Sequence, residues 1–365
     1  MSTSFVKKTT RGRTNLPAGT KVSLHNSQLL ISTGVPSLDT FIGGGLAVGT
    51  LILVEEDIHS TYSNILLKYF IAEAIVVHQQ VFLASSEKTP ENILKEIPDL
   101  TDEDSDLKSS NDNNSDLLIA WRYKDSPKVQ PVVSNLRFGH YFDLSKKISQ
   151  EKIDTCKISH FCANPNRYNS NIDQYKELLE SIKNELERLK TSNSMCNPSV
   201  LRICINSLGS PLWGSFSTAS GACKSSLTWF LLALRSILRN SLATCMITIP
   251  THLCEELWFV NRIRRCCDTV IQLVSFNDAV KDQNLMYKDY NGLLHVKKLA
   301  HLNCISGYDI NTSDLAFKLK RKRFSIEKLH LPPNISETAN RSETKPNIKT
   351  SICSSTTHAN NPLDF

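Results

Sequence analysis

Apolar positions first gather at Leu29-Leu30-Ile31. Leu51-Ile52-Leu53-Val54 then forms a short continuous apolar run, the pattern of a buried strand. Asn64 to Val77 has helical spacing, with Ile65, Leu66, Tyr69, Phe70, Ile75 and Val76 on one broad face. Val81-Phe82-Leu83-Ala84-Ser85 predicts another strand, and the β-α-β order predicts a parallel sheet. The core is expected to resume at Ile119-Ala120-Trp121-Arg122-Tyr123. Ser170 to Lys190 predicts an amphipathic helix striped by Ile172, Tyr175, Leu178, Leu179, Ile182, Leu186 and Leu189, with Ser170 and Asp173 resembling a capping box. Strands are predicted over Val200–Ile205, Thr244–Ile249, Thr269–Leu273 and Leu293–Leu299. Ser226–Asn240 reads as a strongly apolar, buried helix and Glu255–Arg265 as a second, shorter one.

Three stretches break this pattern. Residues 1–28 are basic and polar and read as a flexible arm. Residues 98–116 are acidic, rich in Ser and Asn, and read as a disordered surface insertion. Residues 332–365 are rich in Ser, Thr and Asn and read as a disordered tail. A single α/β domain over residues 29–331 remains.

Composition narrows the class. With 40% apolar and 21% charged residues over 365 positions, a wholly disordered chain, a coiled coil and a collagen-like fibre are excluded. No run reaches the roughly 18 apolar residues of a membrane span, so no membrane partner is expected. The start lacks an apolar core, so no secretory signal is expected. The 11 cysteines contain no CxxC pair, which predicts reduced thiols in a cytoplasmic or nuclear protein. A net charge of +6 is weak evidence for an acidic partner, so the placement of charge matters more.

Ser32-Thr33-Gly34-Val35-Pro36-Ser37-Leu38-Asp39, then Gly43-Gly44-Gly45, then a strand, a loop and a helix resemble the opening of RecA-type ATPases. The glycine run precedes the strand, so it reads as a turn and not as a dinucleotide fingerprint. The loop after the strand should be G-x-x-x-x-G-K-[ST], whose amides cradle phosphate, whose Lys reaches the outer phosphates and whose hydroxyl holds Mg²⁺. Here it reads Glu56-Asp57-Ile58-His59-Ser60-Thr61-Tyr62-Ser63. Glu56 and Thr61 stand at the glycine positions, Tyr62 stands at the lysine, and only Ser63 matches. Glu55, Glu56 and Asp57 put carboxylates where a triphosphate would sit. Each like-charge contact at ~5 Å costs about 3 kcal/mol at an effective dielectric of about 20. The strand Val200–Ile205 ends in Asn206, where a Walker-B strand carries an Asp for Mg²⁺. The expectation is a RecA-like P-loop NTPase fold with degenerate Walker motifs, no catalytic residue, no cofactor and no metal.

The segments STGVPSLDTFIGGGLAVGT, LILVEED, YSNILLKYFIAE, AWRYKDSPK, RFGHYFD and LAFKLKRKRFSIEKLHLPP, with the ending Leu363-Asp364-Phe365, are similar in order to the PAXNEB family, the fourth subunit of the Elongator complex. The matches run from about residue 17 to 335. The resemblance implies a RecA-like subunit that forms a hexameric ring with the fifth and sixth Elongator subunits, two copies of each. It implies a ring that binds tRNA and serves a complex modifying wobble uridine, beginning with carboxymethyluridine. The catalytic and scaffold subunits of that complex are other chains. The ring is also credited with an ATP-linked release of tRNA, so a site shared between subunits stays open. The competing readings are an active RecA-type P-loop ATPase and a purely structural ring spacer without RNA contact.

The densest charge is Lys318-Leu319-Lys320-Arg321-Lys322-Arg323, five cations in six residues. Alternation of Phe317, Leu319, Phe324 and Ile326 predicts a strand and turn with the cations outward. Contact with RNA or a ring partner, a solvated edge strand and a localisation signal all fit Lys318, Lys320, Arg321, Lys322 and Arg323. Arg262, Arg264 and Arg265 at a helix end suit capping of its dipole. Ser207–Ser220 is the position-matched loop for a ring centre; Trp213 and Phe216 there suit subunit packing, or stacking on bases. Cys156, His160 and Cys162 lack zinc spacing, and His140 with Tyr141 and Asp143 lacks a paired nucleophile, so structural roles are expected.

Overall fold

In chain order the described residues form β1 (Thr20–Val22), β2 (Leu29–Ile31), α1 (Pro36–Phe41), β3 (Leu46–Ala47), β4 (Leu51–Glu55), α2 (Thr61–Val76), β5 (Gln80–Ser85), α3 (Pro90–Lys95), β6 (Pro98–Leu100) and β7 (Phe142–Lys147). There follow α4 (Gln150–Asp154), β8 (Ile158–Cys162), α5 (Asn171–Met195), β9 (Leu201–Ile205), α6 (Pro211–Gly214), α7 (Gly221–Arg239), β10 (Ala243–Ile249), α8 (Leu257–Cys266), β11 (Thr269–Ser275), β12 (Gly292–Lys298), β13 (Leu315–Leu319) and β14 (Phe324–Lys328). The computed structural model describes residues 16–23, 26–101, 138–163, 171–195, 198–214, 221–276, 287, 289–304 and 315–329. These belong to a unit ending at Leu329; the second unit, His330–Phe365, lies outside the described residues. So do the expected core segment at Ile119–Tyr123, Phe216 and the capping-box side chains of Ser170 and Asp173.

The frame is a nine-stranded sheet in the order β14-β13-β12-β11-β4-β10-β9-β5-β8. From β11 to β8 every pairing is parallel. The sequence predicts a parallel sheet, and that holds for this part; β12, β13 and β14 add antiparallel pairs, so the whole sheet is mixed. β4 shows why its run is continuous. Leu51 and Leu53 enter one apolar cluster with α5, α7 and α8, while Ile52 and Val54 enter the other with α1 and α2. Alternate residues point to opposite faces, and both faces are covered, so Leu51 to Val54 are all apolar.

Two boundaries differ from the sequence reading. The arm expected to be flexible over residues 1–28 contains β1, which pairs antiparallel with β2. Gln79 Nε2 donates to the Ala18 carbonyl at 2.7 Å, and the Gly19 backbone sits so close to Val77 that a Cβ would meet it at 2.5 Å. Backbone pairing and one close approach, neither visible as an apolar stripe, hold this piece. The acidic stretch from residue 98 opens with β6, paired with β7 next to the fully buried Ile97; residues 102–116 lie outside the described residues.

The Ser-Thr-Gly-Val-Pro-Ser-Leu-Asp motif folds on its own Asp. Asp39 accepts hydrogen bonds from Ser32 Oγ at 2.5 Å, Thr33 N at 2.9 Å and Thr33 Oγ1 at 2.7 Å. Burial pushes its carboxyl up to about 6 against these bonds. Gly34 has a φ of 84°, and a Cβ there would lie 2.3 Å from the Tyr69 carbonyl oxygen. The glycine run is the turn between α1 and β3; Gly43, Gly44 and Gly45 all have positive φ.

Candidate functional site

β4 delivers Glu55, Glu56 and Asp57 to the carboxyl end of the parallel strands, the edge on which open α/β sheets bind ligands. All three are buried. Asp57 turns back onto the start of α2. Its Oδ1 accepts from the backbone N–H groups of Tyr62 and Ser63 at 3.1 and 3.2 Å, and its Oδ2 from that of Thr61 at 3.1 Å. These are the orphan donors of a helix N-terminus, and a negative group there also meets the positive end of the helix dipole. In a working P-loop such amides face phosphate. Here the chain's own carboxylate occupies them.

The neighbours are settled as well. Arg264 of α8 forks onto Glu55, with Nε to Oε1 at 2.5 Å and Nη2 to Oε2 at 2.8 Å. This corrects the reading of Arg264 as a dipole cap: it is an ion-pair partner. Its guanidinium is held above the usual arginine range by that hydrogen bond. Glu56 accepts from Ser60 Oγ at 2.6 Å and Ser207 Oγ at 2.9 Å. The expectation of three uncompensated carboxylates facing a nucleotide is corrected accordingly. Two of the three are neutralised from within, by a guanidinium and by a helix end.

The other residues of this loop have separate surroundings. Ser60 holds a left-handed φ of 52° immediately before α2. Tyr62 leaves the loop and packs on Phe317 of β13, ring centroids 4.6 Å apart, and burial raises its phenol. Thr61 is exposed, while Ser63 is fully buried with no partner for its Oγ among the described residues. Asn206, just past β9 and separated from β4 by β10, is buried. Its Oδ1 accepts from Thr248 Oγ1 at 3.4 Å, and its carbonyl from Trp213 Nε1 at 3.2 Å.

The surroundings of Trp213 correct the reading of that one residue; residues 215–220 of its loop lie outside the described residues. Trp213 is 0% exposed, and its ring is near-parallel to those of Phe161 and Tyr175 at centroid distances of 6.4 and 6.5 Å. It serves neither base stacking nor subunit packing, because its own chain encloses it.

The basic cluster is a hairpin tip. Lys320 and Arg323 close the turn between β13 and β14 with backbone bonds of 2.9 and 3.2 Å. Phe317, Phe324 and Ile326 are buried, as their alternation predicts. The cations divide into two groups. Arg323 lies 3.5 Å from the Tyr141 ring centroid, Lys322 Nζ lies 4.0 Å from Asp143, and Lys318 Nζ lies 3.7 Å from Asp289. Lys320 and Arg321 are exposed and have no side-chain partner among the described residues. Hydrogen bonds from Ser145 hold the Asp143 carboxyl below its usual range, with Lys322 adding to the effect.

The sequence reading missed a polar core. Arg202 is fully buried, gives Nε to Gln79 at 2.7 Å and Nη1 to the Ser32 carbonyl at 2.7 Å, and lies over the Phe70 ring at 4.6 Å. Burial pushes its guanidinium down to about 10. Buried Glu73 faces His140 Nδ1 at 3.1 Å and accepts from the His140 backbone N–H at 3.2 Å, a structural tie. A charge inside an otherwise apolar strand or helix was the available signal for Arg202 and Glu73. Cys156 is buried against the Ile75 carbonyl, whereas His160 and Cys162 are exposed.

The PAXNEB protein family model matches residues 13–365 of this chain. Elongator complex protein 4 of Danio rerio is 43% identical over 100% of this chain and 96% of its own length. Elongator complex protein 4 of Xenopus laevis is 44% identical over 93% and 88% respectively, and that of Homo sapiens 42% over 89% and 82%.

Proposed function

The chain belongs to the PAXNEB family, and from that premise we propose that it is a non-catalytic Elongator subunit. In this reading it is a RecA-like protein with its nucleotide machinery removed. It sits in a hexameric ring with the fifth and sixth subunits, binds tRNA and supports wobble-uridine modification carried out elsewhere in the complex, in the cytoplasm and nucleus. The observation that carries the non-catalytic part is Asp57 seated on the amides of Thr61, Tyr62 and Ser63. The parallel strands from β11 to β8, with helices on both faces, support the fold part.

Calorimetry with the purified chain tests it. ATP is expected to bind no tighter than roughly millimolar, about −4 kcal/mol. Micromolar affinity would favour the P-loop ATPase reading. Binding that appears only in the assembled ring would mark a shared site.

The RNA part rests on Lys320 and Arg321, the two tip cations without an internal partner among the described residues. Phosphate contacts position RNA without reading its sequence. Lys320→Glu with Arg321→Glu should therefore weaken all tRNAs alike in the assembled complex. The log–log salt slope should flatten by about 0.7 to 0.9 per lost contact. The complex should still assemble, because both side chains point into solvent. An unchanged affinity and slope would return the tip to the role of protecting the β14 edge against aggregation.

A further inference from the structure

Glu56 is only 5% exposed, is bonded to two hydroxyls, and has no cation partner among the described residues. Its neighbours differ: Glu55 has Arg264, and Asp57 has the end of α2. Two adjoining hollows of about 250 Å³ each share Glu56 and His252. One is walled by Pro211, Leu212, Pro250 and Leu253, with Glu87 adding a second carboxylate. The other is walled by Ile58, Leu257 and Val260; its cation, Arg264, is already spent on Glu55. Ile58, Leu253 and Leu257 are 60%, 45% and 76% exposed, and the adjacent Trp258 is 57% exposed. An exposed apolar rim around a buried acid differs from an ordinary solvated surface.

We propose that this cleft docks a protein partner that inserts an arginine, flanked by apolar side chains, against Glu56. The choice of partner follows from the two halves of the cleft. A buried carboxylate without a counter-charge is costly, and a cation that reaches it lowers that cost. A nucleotide or other anion would add charge of the same sign as Glu56 and Glu87. A hydrated metal ion would satisfy Glu56 but leave the apolar rim in water. A guanidinium is planar, weakly hydrated and forked, so it reaches the carboxylate oxygens beside the Ser60 and Ser207 bonds while its flanking residues cover the rim. The inference rests on the ring reading for the partner chains used in its test.

The experiment compares three full-length variants, each co-expressed with the fifth and sixth Elongator subunits: Glu56→Gln, Leu253→Ser with Leu257→Ser, and Trp229→Ser. Trp229 is 52% exposed on α7 and lines neither hollow, so it is the control. Glu56→Gln keeps an acceptor for the hydroxyls and removes the charge. Its affinity for the partner subunits should fall about thirtyfold or more. The double leucine variant should lose about tenfold, with an unfolding midpoint for the free chain close to wild type, because both leucines are exposed. Trp229→Ser should bind as wild type. If wild type assembles and both cleft variants assemble equally well, the inference is wrong and the ring reading stands. If wild type does not assemble with those subunits, the ring reading falls and takes the inference with it. If magnesium or calcium chloride titrated into the free chain binds, and Glu56→Gln abolishes that binding, the missing cation is a metal and the inference is overturned.

Discussion

Arg264→Ala is expected to destabilise the chain by about 3–5 kcal/mol, measured by urea unfolding, because it strands a fully buried carboxylate. Glu55 is 0% exposed, and both its oxygens are taken by the Arg264 fork. Arg264 itself is partly exposed, so its own desolvation is a small part of the effect. The expected asymmetry is the useful part. Removing one partner leaves an uncompensated charge at the end of β4, whereas removing both leaves none. Glu55→Leu combined with Arg264→Ala should therefore cost less than Arg264→Ala alone. A loss below about 1 kcal/mol for Arg264→Ala would place this pair with ordinary surface bridges. The carboxyl end of β4 would then be less sealed than its geometry indicates.

The same pair shows how far the sequence could be read. The departures from a P-loop were legible position by position, because that motif has a fixed spacing and a known chemical demand at each place. What replaced it was not legible. Arg264 meets Glu55 across 209 residues, and Ser207 meets Glu56 across 151. No local pattern encodes which charges meet, so three carboxylates in a row read as repulsion when two of them are neutralised. Apolar runs fared better. The period of two in β13 and β14 placed Phe317, Phe324 and Ile326 inside, and the continuous run of β4 implied cover on both faces. β1 and β6 escaped notice because three-residue strands held by backbone pairing leave no periodicity to find.

Trp213→Ala is expected to cost about 3–5 kcal/mol of stability, the range for removing a large buried aromatic side chain. The rings of Phe161 and Tyr175 lie near-parallel to the indole, and the pairing of Tyr175 with Phe230 ties this aromatic group to α7. The indole N–H also holds the Asn206 carbonyl just past β9, so the truncation frees a buried acceptor there. The place of its loop just after the strand Val200–Ile205 made this tryptophan read as a loop aromatic for subunit packing or for stacking on a base. The two readings separate cleanly in experiment. A base-stacking tryptophan would lose about 1–3 kcal/mol of RNA affinity per stacked base with stability intact. The enclosed tryptophan seen here should lower the unfolding free energy while leaving tRNA affinity of the assembled complex unchanged at temperatures well below unfolding. A variant with wild-type stability and weakened tRNA binding would reverse that assignment and return the RNA surface to the carboxyl end of β9.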